Sequence, residues 1–168
     1  VFLRSLKRAL IMPFAPILIA TERILLTLWI GGMWTVGLVV APTLFKNYAR
    51  VLAGDIAGRL FSILSSIGIV CAVLLLASCA MRARGAVWRD WRAGLVLLML
   101  VIILIGEFGV AARMRELKEL LAASAAGSAS LLEFQWLHRS ASTLFLLNSV
   151  LGLVLVIFGV RPRVQPGS

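Results

Sequence analysis

The sequence predicts an all-α integral membrane protein, a four-helix bundle preceded by an amphipathic N-terminal segment. Three observations predict it. The 168-residue chain is 61% hydrophobic and its mean hydropathy is +1.03, against a roughly 45–50% apolar share in globular domains. Four runs of about 20 residues, the length that crosses a bilayer as a helix, are free of charge except for one residue: Ile24–Phe45, Leu60–Met81, Ala93–Ala112 with Glu107 inside it, and Ser140–Val160. The basic residues lie beside those runs, where positive charge sets topology and meets anionic headgroups.

Seventeen Lys/Arg against seven Asp/Glu give a net charge of +10. No basic stripe interleaved with stacking aromatics accompanies it, so the expected partners are the bilayer and its anionic headgroups, not nucleic acid. Residues 1–23 read as an interfacial segment, with Phe2, Leu3, Leu6 and Leu10 on one side and Arg4, Lys7 and Arg8 between them. Pro13 and Pro16 interrupt it and no small-x-small site follows, which favours an uncleaved start over a signal peptide. Residues 24–160 form the four-span domain, and residues 161–168 are a basic tail.

The first connection is Lys46–Arg59, the second Arg82–Arg92 and the third Arg113–Arg139. Basic residues near the span ends are more numerous at the N-terminus, second connection and C-terminus than on the other side. This bias predicts both termini cytoplasmic, in a bacterial inner membrane. Trp88, Trp91 and Trp136 stand at interface-anchor positions. In the third connection, RMRELKELLAASAA is rich in helix formers, so the third helix is expected to continue past the membrane. It is expected to stop near Gly127, and Ser130-Leu-Leu-Glu133 is a capping-box start for the fourth helix. Cys71 and Cys79 are eight residues apart in one helix, about 12 Å, too far for a disulfide.

Lipid does not drive apolar faces together, so membrane helices meet through small residues and polar contacts. Gly31, Gly32 and Gly37 in the first span, Gly54 and Gly58 at the start of the second, and Gly106 and Gly109 in the third are the expected close-contact positions. In the fourth span Ser142, Ser149 and Gly152 fall within about 40° of His138 at 100° per residue. Asn148 lies on the flank of that stripe, which is expected to face the interior.

Glu107 is six residues before Arg113, about 9 Å along a helix, so it lies in the non-cytoplasmic third of the membrane. A bare charge there costs a few kcal/mol, roughly 2.5–3.5 on insertion scales, and marks a functional site by default. His138, Arg59 and Met114 belong to the same level. The open readings are interhelical pairing of Glu107 with Arg59 or Arg113, exposure at a wet rim, proton or ion handling, and metal or cofactor contact with His138 and Glu107 as ligands. A single histidine excludes bis-His haem ligation within one chain. No HExxH, CxxCH, P-loop, nucleophile elbow or dinucleotide fingerprint is present, so no catalytic residue is assigned.

Several segments carry a resemblance. LWIGGMWTVGLVVAPTLF (Leu28–Phe45) contains Trp29, Gly31, Gly32, Pro42 and Phe45. It resembles the Trp-Gly-Gly to Pro-x-x-Phe signature of the transmembrane-protein-205-like family, a four-helix family of unknown function. AGDIAGRLF, with Gly54 and Gly58, resembles that family's small-residue approach to helix two. RMREL and FQWLHRSAS, with Phe134 and His138, resemble its later motifs. Ala111 and Ala112 stand where the family often has a proline before the basic turn. That family is distantly similar to copper-resistance-D-like proteins and to a bacterial membrane protoporphyrinogen oxidase, which implies haem or copper as cofactor and His138 as the first ligand. Three functions are therefore expected. One is binding or passage of a metal ion, proton or small solute through a polar cavity of Glu107, His138, Arg59, Asn148, Ser142 and Met114. The second is a structural or assembly role, as a homodimer or within a larger membrane complex. The third is haem-binding or redox chemistry.

Overall fold

The computed structural model describes residues 15–83, 90–122 and 128–159, and its elements are all helical. Helix α1 (Ala15–Trp34) passes through a π-helical turn, Thr35–Val40, into α2 (Ala41–Asn47). Together they make the first long helix. The second is α3 (Arg50–Ala83). The third joins α4 (Trp91–Leu104), a π-helical segment Ile105–Ala111 and α5 (Ala112–Ala122). The fourth is α6 (Ser128–Gly159). Each contains a stretch long and apolar enough to cross a bilayer: Ile17–Asn47, Arg50–Met81, Trp91–Leu120 and Leu132–Gly159. Helices suit that solvent because every backbone bond closes within the segment. The hydroxyls follow the same logic: Thr21, Thr27, Thr35, Thr43, Ser66, Ser142 and Thr143 each donate to the carbonyl four residues back.

Successive helices pack side by side, and the fourth closes onto the first, the up-down arrangement of a four-helix bundle. Ala15 and Gly159 therefore lie at one end, termed proximal. The Tyr48 turn and α5 lie at the other, termed distal.

The elements depart from the sequence expectation at their ends. Helix α1 already includes residues 15–23, which continue into the first span without a break; residues 1–14 lie outside the described residues. The first connection shrinks to Tyr48 and Ala49, with Tyr48 extended at φ −127° and ψ 158°. Residues 50–59 are helical despite two glycines because Ala53 and Ala57, one turn apart, are both buried. At the proximal end Asp90 caps α4 by accepting from the Arg92 amide at 3.1 Å; Trp88 lies outside the described residues. The third helix does continue past the charge-free run, to Ala122; the Gly127 stop lies outside the described residues. Helix α6 begins two residues before Ser130, whose side chain also lies outside them. Its capping-box partner Glu133 accepts from Arg113 Nε at 2.9 Å instead, tying the fourth helix to the third.

The core is built around Trp29 and Met99, both fully buried, with Leu26, Ile30, Met33, Leu64, Cys71 and Leu155 around them. Close packing is the main cohesive term where lipid is as apolar as leucine, and glycine makes it possible at four places. A Cβ on Gly68 would meet Trp29 Nε1 at 2.7 Å and Ile103 Cδ1 at 2.9 Å. One on Gly152 would meet Ile30 at 3.1 Å, and one on Gly32 would meet Leu64 at 2.9 Å. One on Gly37 would run into the ring of Phe145, which stands edge-on to Phe61 at 5.3 Å. Gly31, Gly54, Gly58 and Gly109 meet nothing within 4 Å. The G-x-x-x-G spacing of Gly54 and Gly58 thus makes no close contact within the bundle, and the neighbouring alanines fill that role.

Candidate functional site

Glu107 is held by two groups from different directions. Ser62 Oγ on α3 donates to its Oε1 at 2.7 Å, and Arg115 Nη1 on α5 reaches the same oxygen at 3.3 Å. The Glu107 side chain is 14% exposed and that of Arg115 57%. Arg59 and Arg113, the partners expected from sequence, are engaged elsewhere or turned outward. Arg113 pairs with Glu116 at 3.0 Å and with Glu133 at 2.9 Å, and Arg59 is exposed on α3.

The π-helical segment explains the choice of Arg115. In a straight α-helix, positions eight apart are about 80° out of register. A π turn absorbs roughly one extra residue. The effective spacing drops to seven, which returns Arg115 to within about 20° of Glu107. Glycines at 106 and 109 sit in the same segment.

Around this pair the distal end is laced with charge. Lys118 on α5 pairs with Asp55 on α3 at 2.7 Å. Each basic residue of RMRELK thus meets an acid: Arg113 binds the fourth helix, Arg115 binds Glu107, and Lys118 binds the second helix. Leu117, between them, is 1% exposed and anchors α5.

The other expected cavity residues do not gather on Glu107. His138 is exposed on α6. Ser142 is exposed and spends its hydroxyl on the His138 carbonyl at 2.9 Å. Met114 is half-buried. Asn148 is the buried member, 3% exposed, with Nδ2 donating to Met33 Sδ at 3.6 Å. Its Oδ1 and the Ser149 hydroxyl are buried with no partner among the described residues. The inward face of α6 runs through Asn148, Gly152 and Leu155, spaced four and three apart. That face is rotated by about 80° from His138, so the distal half of the expected stripe turns outward. Among the described residues no three His, Cys, Asp or Glu side chains come together as a metal site. Of the signature residues, Trp29 is the core centre and Gly32 packs on Leu64, while Pro42 and Phe45 are exposed and Phe134 is half-buried.

Sequence reasoning missed a second carboxylate within a span-length apolar stretch, Ile17–Asn47. Glu22 on α1 accepts from Ser78 Oγ on α3 at 2.6 Å, and Ser78 is 4% exposed. The signal was available: Glu22 lies four residues before buried Leu26 and seven before Trp29, on one helix face. Placing the first span after Arg23 hid it. Ser62 and Ser78 are sixteen residues apart on α3, about 24 Å. Between them lies the apolar core of Leu64, Cys71, Ala72 and Leu75 packed with Trp29 and Met99. The bundle thus has one Ser–Glu pair toward each end and an apolar plug between.

A groove of about 610 Å³ runs between the third and fourth helices at the distal end. Ile105, Val110 and Leu144 line its floor; Trp136, Arg139, Ser140 and Thr143 line the α6 side.

A family model described as "Domain of unknown function (DUF4149)" matches residues 24–123. The match takes in Trp29, Ser62, Glu107 and Arg115 and ends before the fourth helix. No curated protein and no solved structure matches the chain.

Proposed function

The chain belongs to the DUF4149 family, and we propose that this four-helix membrane protein binds a small cation, a proton or a cationic solute at Glu107, from the distal side. The observation that carries the proposal is the mismatch between the two partners of Glu107. Ser62 holds Oε1 from within the bundle at 2.7 Å, whereas Arg115 reaches it at 3.3 Å from a half-exposed side chain. Ion pairs with an exposed member contribute only about 0–1 kcal/mol, so Arg115 is a counter-ion that another cation displaces. The cation takes the place of the guanidinium beside Oε1, and Ser62 keeps the carboxylate oriented. The π-helical segment supports the same reading, since such segments recur at functional sites.

In this proposal the distal end is the non-cytoplasmic one, and both termini face the cytoplasm of a bacterium, from the excess of basic residues at the proximal end. The apolar plug separates the Glu107 and Glu22 pairs, so the reading is of binding from one face; passage requires a second arrangement of the core. The finer kinship with transmembrane-protein-205-like proteins rests on the quoted motifs. The haem and copper reading draws on that kinship alone, with exposed His138 as its ligand, and an absorption spectrum with elemental analysis tests it. The assembly reading has one observation in its favour, the uncontacted Gly54–Gly58 face of α3, which a second copy or another subunit would cover.

The test is thermal unfolding in detergent across a panel of alkali, alkaline-earth and organic ammonium cations. Some member of the panel is expected to raise the Tm of the native protein and not that of Glu107→Gln, with the ligand-free Tm values close together. Equal responses of the two proteins, or none from either, contradict the proposal. Indifference to Glu107→Gln together with a stoichiometric co-purifying subunit supports the assembly reading.

A further inference from the structure

The groove between the third and fourth helices has the character of a site for an amphiphile, and we propose that it binds one anionic phospholipid from the distal leaflet. The inference does not depend on Glu107. It starts from the walls of the groove. Ile105 and Val110, both in the π-helical segment Ile105–Ala111, form the third-helix wall. A volume of about 610 Å³ is left open between them and the fourth helix.

The lining is graded along the membrane normal. Ile105 and Leu144, the deeper members, are aliphatic, as is Val110. Towards the distal surface, α6 presents Trp136, Arg139 and Ser140. Arg139 lies five residues before Leu144, about 7.5 Å nearer the surface. Trp136 is 74% exposed, at the depth where indoles settle among headgroups.

Charge complementarity names the headgroup. The other cations of the third connection with described side chains, Arg113, Arg115 and Lys118, are each paired with a carboxylate. Among the described residues Arg139 makes no ion pair and is the one charged side chain lining the groove. A guanidinium at the mouth of an apolar slot matches a phosphodiester, which it can grip through two parallel hydrogen bonds. The slot below takes the first part of an acyl chain. A soluble anion would leave the aliphatic floor empty, and in a zwitterionic lipid the headgroup's own cation neutralises the phosphodiester and sits against the arginine. Basic pockets between membrane helices bind anionic lipids by this combination.

Native mass spectrometry tests the site, on protein released from mixed micelles holding equal amounts of phosphatidylglycerol and phosphatidylcholine. The native chain is expected to retain one phosphatidylglycerol in preference to phosphatidylcholine. Arg139→Gln is expected to reduce that preference by about tenfold, as for loss of one charge-assisted contact, and Arg139→Lys to keep most of it. Thr143→Trp, which fills the slot, is expected to reduce retention of both lipids without changing the far-ultraviolet circular dichroism. No preference in the native chain overturns the proposal, whatever the variants do. A preference that survives in Arg139→Gln overturns it too.

Discussion

Asn148 is the residue whose environment is least at ease. It is 3% exposed, its amide donates only to a thioether, and its Oδ1 meets no partner among the described residues. An unmatched buried acceptor costs about 1–3 kcal/mol, and replacing it with an apolar group of similar shape recovers part of that. Asn148→Leu is therefore expected to raise the Tm in detergent; a fall of several degrees would show that Oδ1 holds a partner worth more than its desolvation. Asn148 and Glu107 also show what was legible at this scale. The sequence identified Glu107 because a charge inside an apolar run stands out against its neighbours. It offered Arg59 or Arg113 as one open pairing and passed over Arg115, which is about 80° out of register on a straight helix until the π turn removes about one residue from the count. Asn148 was put on the flank because the wheel was centred on His138, whereas the buried face is centred near Asn148 itself. Glu22 was passed over because it adjoins Arg23, and charge at a span's edge looks like a boundary.

At the scale of the element, the small residues separate into two kinds. Gly32, Gly37, Gly68 and Gly152 let a neighbouring helix's side chain rest on the backbone, while Gly54 and Gly58 do not. Composition reveals small residues, but which of them is crossed depends on helix rotation, which no local spacing specifies. The G-x-x-x-G motif pointed to Gly54 and Gly58, and nothing in the local sequence marked Gly68, which takes the Trp29 indole. The difference is measurable. Gly68→Ala forces Trp29 and Ile103 to shift and is expected to destabilise by about 1–3 kcal/mol, the range for overpacking. Gly58→Ala adds a methyl to open space and relieves the entropy cost of a helical glycine, so it is expected to stabilise by up to about 1 kcal/mol. Equilibrium unfolding in mixed micelles compares them; loss of stability in Gly58→Ala would mean that another chain covers that face. Helix ends were legible where chemistry marks them, as in the RMRELKELL extension. They were not where tertiary packing overrides propensity, as at residues 50–59, helical through buried Ala53 and Ala57.

For the whole molecule, the four apolar runs and their alternation were enough to define the bundle, because lipid permits few alternatives to a helix. What they do not define is how the bundle divides into ends. The structure places one Ser–Glu pair toward each end with an apolar plug between, so the two ends are chemically separate. The distal end is further fastened by three cross-links, Arg113–Glu133, Lys118–Asp55 and Ser62–Glu107. In the proposed function Glu107 is a site reached from the distal side, not a strut sealed within the bundle. Cysteine accessibility tests this most directly. In a Cys71→Ala, Cys79→Ser background, Ser62→Cys is reacted with a membrane-impermeant maleimide in oriented vesicles, with Lys118→Cys marking the distal side. Position 62 is expected to label from the same side as position 118. Labelling from the opposite side only, or none from either side in a folded protein, would contradict it.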